Sequence, residues 1–314
     1  MNMEHLKVLE ENGAVVNMER LDEYWYFVCE RQNIYWRRVI EKKPAPWTDD
    51  EILANYRFCN IERTNDRNTI LMIDEILSQG GEDEYLKKNV LFNIFIFRVL
   101  NRYETFKEHG FLWMDKIDFE KDFADKLRAM RDRGESVFTS AHMLNNPHYF
   151  NPDPKTKRDK LHNFLLIFKY WYDNWDEIYE KFMACKSMEE QHEYLKSLPG
   201  LGSFLAYEIC NSAAMAGMFY DYKLTPWDDN GLGKDGLPWA NPGPGCQRGI
   251  DFIFEKRGKM RYIDILRWFH KYQHEELKRT GNVFRHTYGN ELSMLSVENS
   301  FCEVFKYFKA KYGL

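Results

Sequence analysis

The chain has 314 residues, 44% of them hydrophobic and 30% charged, with a formal net charge of -5. That length and balance exclude a disordered or fibrous protein and allow one large domain or two helical lobes, each able to bury a core. The negative charge excludes a protein that coats polyanions over its whole surface, although a DNA enzyme can be acidic overall when its basic residues gather on one face.

The N-terminus, MNMEHLKVLEENG, lacks the basic-then-apolar pattern of a secretory leader. No window approaches the roughly 18 apolar residues of a membrane span. The expectation is a cytoplasmic protein with no membrane partner. Helical periodicity predicts helices over 19–41, 49–64, 68–78, 83–107, 120–133, 158–184, 187–197, 203–217, 247–256, 260–278 and 297–311. Runs of alternating β-branched residues are absent, so the expected fold class is all-α. Residues 1–20 read as an N-terminal extension to a single unit over 21–314, with a lobe boundary near the loop at 139–157.

The first predicted helix carries Arg31, Arg37 and Arg38, a run that is either a solvated face or a contact for DNA or another anion. Thr48-Asp49-Asp50-Glu51 reads as a capping box at the next helix start, and Ser187-Met188-Glu189-Glu190 as another. Over 55–67, Arg57, Asn60 and Arg67 fall at spacings of three and seven, near one helix face, with Arg63 and Asp66 beside it. Spacing alone makes this a polar stripe in which Glu62 and Asp66 pair the arginines.

Leu198-Pro199-Gly200-Leu201-Gly202-Ser203 joins two predicted helices through a turn with two glycines. Such a turn lets backbone amides approach a phosphate, helped by the positive end of the following helix, in a contact that ignores base sequence. A plain αα-hairpin would use the same glycines for its sharp turn. Residues 221–246 are rich in Gly and Pro and read as an irregular segment that is functional or mobile. Gly243-Pro244-Gly245 before a helix carrying Arg248 reads as either an anion cradle or a structural loop.

Six cysteines (Cys29, Cys59, Cys185, Cys210, Cys246, Cys302) stand singly, which fits reduced thiols and offers no zinc or iron-sulfur ligand set. His270 and His274, at i and i+4, read as surface histidines, so no metal site is expected there. In the last helix Glu298, Cys302 and Lys306 form one row and Asn299 with Glu303 a second, either as intrahelical pairs or as the wall of a pocket.

The hairpin string L-P-G-L-G-x-x-x-A resembles the helix-hairpin-helix of base-excision DNA glycosylases. That resemblance implies a two-lobed, DNA-glycosylase-like helical fold. It makes Leu198, Gly200, Leu201, Gly202 and Ser203 DNA-backbone contacts and places a monovalent cation at the turn as an option. Glycosylases that also cleave the strand carry a nucleophilic Lys just after the second Gly, where this chain has Ser203 and Phe204. The carboxylate these enzymes carry beyond the hairpin would be Asp228 or Asp229, given an insertion.

Taken in order, Pro46-Trp47-Thr48-Asp49-Asp50-Glu51-Ile52-Leu53, Tyr56-Arg57-Phe58-Cys59-Asn60-Ile61-Glu62-Arg63-Thr64-Asn65-Asp66-Arg67, Phe97-Arg98-Val99-Leu100-Asn101-Arg102-Tyr103-Glu104-Thr105, Gly243-Pro244-Gly245-Cys246-Gln247-Arg248-Gly249-Ile250 and Glu298-Asn299-Ser300-Phe301-Cys302-Glu303-Val304-Phe305-Lys306-Tyr307 resemble a phage DNA-hypermodification family. That family is described both as the helical domain of 5-hydroxymethyluracil DNA kinases and as glutamyl- or putrescinyl-thymine pyrophosphorylases. Its glycosylase-like members are amino acid:DNA transferases.

The resemblance implies that an amine, from an amino acid such as glycine or from a polyamine, replaces the pyrophosphate of a pyrophosphorylated 5-hydroxymethyluracil in double-stranded DNA. The base would be flipped into a pocket. The leaving pyrophosphate calls for positive charge from Arg, Lys or Mg²⁺. The attacking amine calls for a proton acceptor. On this basis Arg57, Arg63, Arg67, Arg248, Glu298 and Asn299 are expected to bind substrate or pyrophosphate. Asn60, Asp228, Asp229, Glu303 and Lys306 are expected in catalysis, and Arg31 and Arg37 at DNA or pyrophosphate. No G-x-x-x-x-G-K-[ST] loop is present, which favours transfer over phosphorylation. A monofunctional base glycosylase and a non-catalytic DNA-binding module of a modification complex are the alternatives.

Overall fold

The computed structural model describes residues 3–140, 144–216 and 231–314. It is all-α, as the periodicity predicts. Among the described residues the only paired strands are Val15–Val16 and Phe254–Lys256, which are antiparallel, with a single bridge between Leu232 and Pro238.

The chain divides into two compact units, one formed by Met1–Asp66 and Trp227–Leu314 and the other by Arg67–Pro226. The described part of the loop at 139–157, where the sequence suggests a lobe boundary, lies inside the second unit. The first unit opens with α1 (Glu4–Glu11), α2 (Met18–Tyr35) and the short α3 (Glu51–Asn55). The second holds α4 (Arg67–Glu75), α5 (Glu84–Leu100), α6 (Tyr103–His109), α7 (Asp125–Asp132), α8 (Lys160–Asp173), α9 (Trp175–Ala184), α10 (Met188–Ser197) and α11 (Ser203–Met215). The chain then returns to the first unit with α12 (Pro244–Ile253), α13 (Tyr262–Lys271), α14 (Gln273–Thr280) and α15 (Met294–Tyr312).

Side-chain caps set the helix starts. Asn17 accepts from the Arg20 amide, Asp50 from Ile52 and Leu53, Ser187 from Glu190 and Ser293 from Ser296. Asp50, two residues past Thr48, is therefore the cap of α3. Several long predicted helices are divided by the side chains at their breaks. The helix expected over 260–278 stops at Tyr272, where the Gln273 side chain donates to the His270 carbonyl at 2.7 Å and removes the acceptor a continuing helix would need. His270 and His274 therefore sit on different helices. The segment expected as one helix over 83–107 turns at Asn101, which adopts a left-handed conformation at φ 44°.

The aromatic excess is core packing. In the first unit Tyr24, Trp25, Phe27, Phe269 and Phe301 are fully buried, with Tyr24 stacked on Phe301 at 4.7 Å and edge-on to Phe269 at 4.8 Å. In the second, α5 is buried on every side from Asn89 to Leu100. It meets Trp171 and Trp175 edge-on through Phe95, at 5.5 and 5.0 Å.

A buried carboxylate ties α1 into the first unit. Glu276 accepts from His5 Nε2 at 2.7 Å, from Trp25 Nε1 at 3.0 Å and from Arg279 Nε and Nη2 at 2.7 and 2.8 Å. Removing it strands three kinds of buried donor. Glu276→Ala should cost about 3–5 kcal/mol in urea unfolding, and a loss below about 1 kcal/mol would show that the contact adds nothing.

Candidate active site

Residues 56–66 form the core of the site. The helix expected there does not form: α3 ends at Asn55, Tyr56 is extended, and only Arg63–Asn65 makes a 3-10 turn before α4 starts at Arg67. Side chains take the amides a helix would have used. The Cys59 amide donates to Glu303 Oε2 at 2.9 Å and the Asn60 amide to Asp66 Oδ1 at 3.0 Å. Asn, Asp and Thr side chains compete with helix hydrogen bonding in this way. The expected shared face of Arg57, Asn60 and Arg67 is accordingly absent. Asn60 is in the loop, Arg57 is exposed, and Arg67 opens α4 in the other unit.

A connected polar network stands in place of that face. Arg31, from α2, donates through Nη2 to Asn60 Oδ1 at 2.7 Å and to the Phe58 carbonyl at 3.2 Å. Asn60 Nδ2 donates to the Asn65 carbonyl at 2.8 Å, while the Asn60 carbonyl accepts from Asn299 Nδ2 at 3.4 Å. Arg63 reaches Asp66 Oδ2 through Nε at 2.5 Å and Asn299 Oδ1 through Nη1 at 2.8 Å. Lys306 Nζ lies 2.6 Å from Glu303 Oε1. Glu303 is only 2% exposed, a buried carboxylate whose charge is matched by Lys306 and the Cys59 amide. Burial of Lys306 works against its charge, but Glu303 outweighs this and holds its pKa above the ordinary value.

Behind the loop, Glu62 accepts from Gln32 Nε2 at 2.8 Å, from Asn65 Nδ2 at 3.2 Å and from the Thr287 amide at 2.9 Å. This clamp joins α2, the loop and the segment before α15. No spacing points to Gln32 or Thr287, which lie far from Glu62 along the chain.

Burial pushes Cys59 up to about 12 and raises Cys302 as well, so both stay protonated near neutral pH. Arg37 is committed to Glu30 Oε1 at 2.7 Å and the Trp47 carbonyl at 2.6 Å.

The glycines of Gly243-Pro244-Gly245 serve packing. A Cβ on Gly245 would sit 2.5 Å from Cys302 Sγ, and one on Gly249 2.3 Å from the Phe301 carbonyl oxygen. Their absence lets α12 lie directly on α15. Gly243 donates its amide to Glu298 Oε1 at 3.4 Å, so a carboxylate of the chain itself stands at this helix start. Arg248 is exposed, with its guanidinium 5.8 Å from the Phe305 ring centre.

In the second unit, α10 and α11 form the expected hairpin. Leu198 and Leu201 are buried anchors, and the Pro199 carbonyl accepts from Trp171 Nε1 at 3.2 Å. Gly200 and Gly202 play different parts. Gly200 has φ +83°, and a Cβ there would meet Ile167 Cγ2 at 2.8 Å, so the fold itself requires glycine. Gly202 has φ -96°, and a Cβ there would meet nothing within 4 Å. With Ser203 and Phe204 it is exposed, beside an open cleft of about 350 Å³ lined also by Tyr149, Pro147 and Leu144. From the Phe97–Thr105 string, Arg98 supports α11 from inside the unit, donating to Ser212 Oγ at 2.5 Å and pairing with Glu208 at 3.2 Å.

Asp228 and Asp229 lie outside the described residues. Among the described residues no cluster of His, Cys, Asp and Glu could hold a metal ion, and no helix is long and apolar enough to cross a membrane.

The family model described as 5-hmdU DNA kinase, helical domain, matches residues 18–313. The chain belongs to that family. A 5-hmdU DNA kinase of Bacillus phage SP10 is 35% identical over 290 residues, covering 91% of this chain. The chain spans only 44% of the length of that relative. No solved structure matches the chain.

The two hairpin glycines give a paired test. Gly200→Ala should destabilise the second unit by roughly 2 kcal/mol through left-handed backbone strain and the Ile167 contact. Gly202→Ala, at the N-cap of α11 with no clash to relieve, should cost no more than about 1 kcal/mol. Chemical denaturation followed by tryptophan fluorescence reads both, and equal losses would refute the distinction.

Proposed function

We propose that this chain is the transferase of a thymine-hypermodification pathway in phage DNA, acting in the cytoplasm of the infected cell. It exchanges the pyrophosphate on a 5-pyrophosphoryloxymethyluracil base for an amine. The observation that carries the reading is the first-unit network in which Arg31, Asn60, Arg63, Asn299, Glu303 and Lys306 converge from strings separate in the chain.

The reaction asks for what that network offers. As the C–O bond to pyrophosphate breaks, the departing group takes the electron pair, and cations must meet the developing charge. Arg31, Arg63 and Lys306 supply them. As the C–N bond forms at the base methylene, the amine loses a proton to a carboxylate, the part assigned to Glu303 with Lys306 as its counter-charge. The relative's name speaks of phosphorylation, but it is more than twice as long as the matched region. This chain lacks a G-x-x-x-x-G-K-[ST] loop, which supports a step other than phosphate transfer from a nucleotide.

The DNA grip is assigned to the hairpin, as in a glycosylase-like helix-hairpin-helix. Its support is Gly202, the N-cap of α11, where a Cβ would meet nothing within 4 Å and the open cleft lies beside it. A phosphate backbone needs that close approach.

The test is nucleoside mass spectrometry of duplex DNA carrying the pyrophosphorylated base, treated with the protein and a panel of amino acids and polyamines. An adduct that forms only when an amine is present is the expected result. Glu303→Gln should slow its formation by about 100-fold or more while leaving the protein folded. Abasic sites would point instead to a base glycosylase, and no product with any amine would refute the transfer.

A further inference from the structure

The open cleft beside the hairpin has an aromatic wall that a grip on phosphate leaves unused. Tyr149 lines it, from the 3-10 turn His148–Phe150. Its hydroxyl accepts from the Gly200 amide at 3.0 Å, yet the residue is 69% exposed and its ring has no ring partner among the described residues. The ring is pinned at its hydroxyl and open to solvent. The loop that carries it is braced from within. Asn163, fully buried, donates to Asn146 Oδ1 at 2.6 Å and to the Lys157 carbonyl at 2.9 Å, and accepts from Asn151 Nδ2 at 2.7 Å. Phe150 packs edge-on against Tyr170 at 5.6 Å.

Hydrogen bonding sorts the amides of the hairpin turn. Gly200 gives its amide to Tyr149, and Leu201 gives its own to the Leu198 carbonyl at 3.3 Å. A phosphate at this turn is therefore met from Gly202 onward, where α11 begins. Gly202 and Tyr149 line the same cleft, so a nucleotide whose phosphate rests at Gly202 has room beside it for its base. At about 350 Å³ the cleft is at the small end of ligand pockets, the scale of a single base.

The charge around it suits a polyanion. None of the described residues lining the cleft is acidic. The loop exposes Lys155, Lys157 and Arg158, none of them in an ion pair among the described residues. With Lys160 they outnumber the loop's two carboxylates, Asp153 and Asp159. Those carboxylates are engaged, Asp153 by the Lys155 amide at 2.9 Å and Asp159 by the His162 amide and Arg131, both at 3.0 Å. An aromatic face with cations along the backbone path is how proteins hold unpaired nucleotides without regard to sequence.

We propose that the cleft takes one unstacked nucleobase of the DNA strand held at the hairpin, with the Tyr149 ring as its stacking face. This rests on the hairpin as the DNA grip and extends it from a phosphate to a base.

The test is fluorescence anisotropy of the full chain with two labelled duplexes that differ only by one extra unpaired nucleotide. The wild type should bind the bulged duplex at least about fivefold tighter. Tyr149→Ala should erase that ratio, whereas Tyr149→Phe, which keeps the ring and loses the hydroxyl, should retain most of it. A ratio is insensitive to a fraction of misfolded protein, since both duplexes meet the same sample. With 5-iodouracil as the unpaired base, irradiation should crosslink it to Tyr149, read by peptide mass spectrometry. A ratio that survives in Tyr149→Ala, or one lost equally in Tyr149→Phe, would overturn the stacking face. A wild type that binds both duplexes alike keeps the hairpin grip and loses the stacked base. One that binds neither loses the grip as well.

Discussion

A backbone without helical hydrogen bonds must find other partners when it runs through a packed protein. Residues 56–66 meet that constraint with Glu303 at the Cys59 amide, Asp66 at the Asn60 amide and Asn299 at the Asn60 carbonyl. The rest of the first-unit site depends on this solution. Each carboxylate drawn in to serve the backbone brings a charge that must itself be matched, which recruits Lys306 and Arg63. The network is therefore both the scaffold of the loop and a concentration of charge at one place in an acidic protein.

Close helix packing makes the arrangement possible. Glu303 and Asn299 reach the loop from α15, whose other side is pressed against α12 where Gly245 and Gly249 remove the side chains that would hold the helices apart. At the far side of the loop, Glu62 binds Gln32 of α2 and the Thr287 amide, so the segment is held from both directions. The two glycine-bearing strings that the sequence suggests as anion cradles thus divide. Gly245 is a packing residue, whereas a Cβ added at Gly202 of the hairpin would meet nothing within 4 Å.

The helices are largely legible in the sequence, because a buried stripe repeats at the helical period and caps such as Ser187 announce their starts. Breaks were not legible where one side chain decides them, as Gln273 does at His270. Over 55–67 the spacing fits a helix face, but the groups that dismantle the helix, Asp66 and Glu303, act through contacts that periodicity does not contain. Residue types at the site were legible: Asn60, Arg63, Asn299, Glu303 and Lys306 were all singled out. Their pairing was not, since Asn60 finds Arg31 and Arg63 finds Asn299 only after folding. The same limit hid Glu62 as a clamp and the difference between Arg31 and Arg37.

Residues 56–66 are ordered by α15 and not by helix formation of their own. Amide hydrogen exchange at Cys59 and Asn60 tests it most directly, compared between the wild type and Glu303→Gln. Both amides should be strongly protected in the wild type, and the substitution should speed exchange at Cys59 while leaving the amides of α15 unchanged. Rapid exchange at both positions in the wild type, as in an exposed loop, would contradict the account.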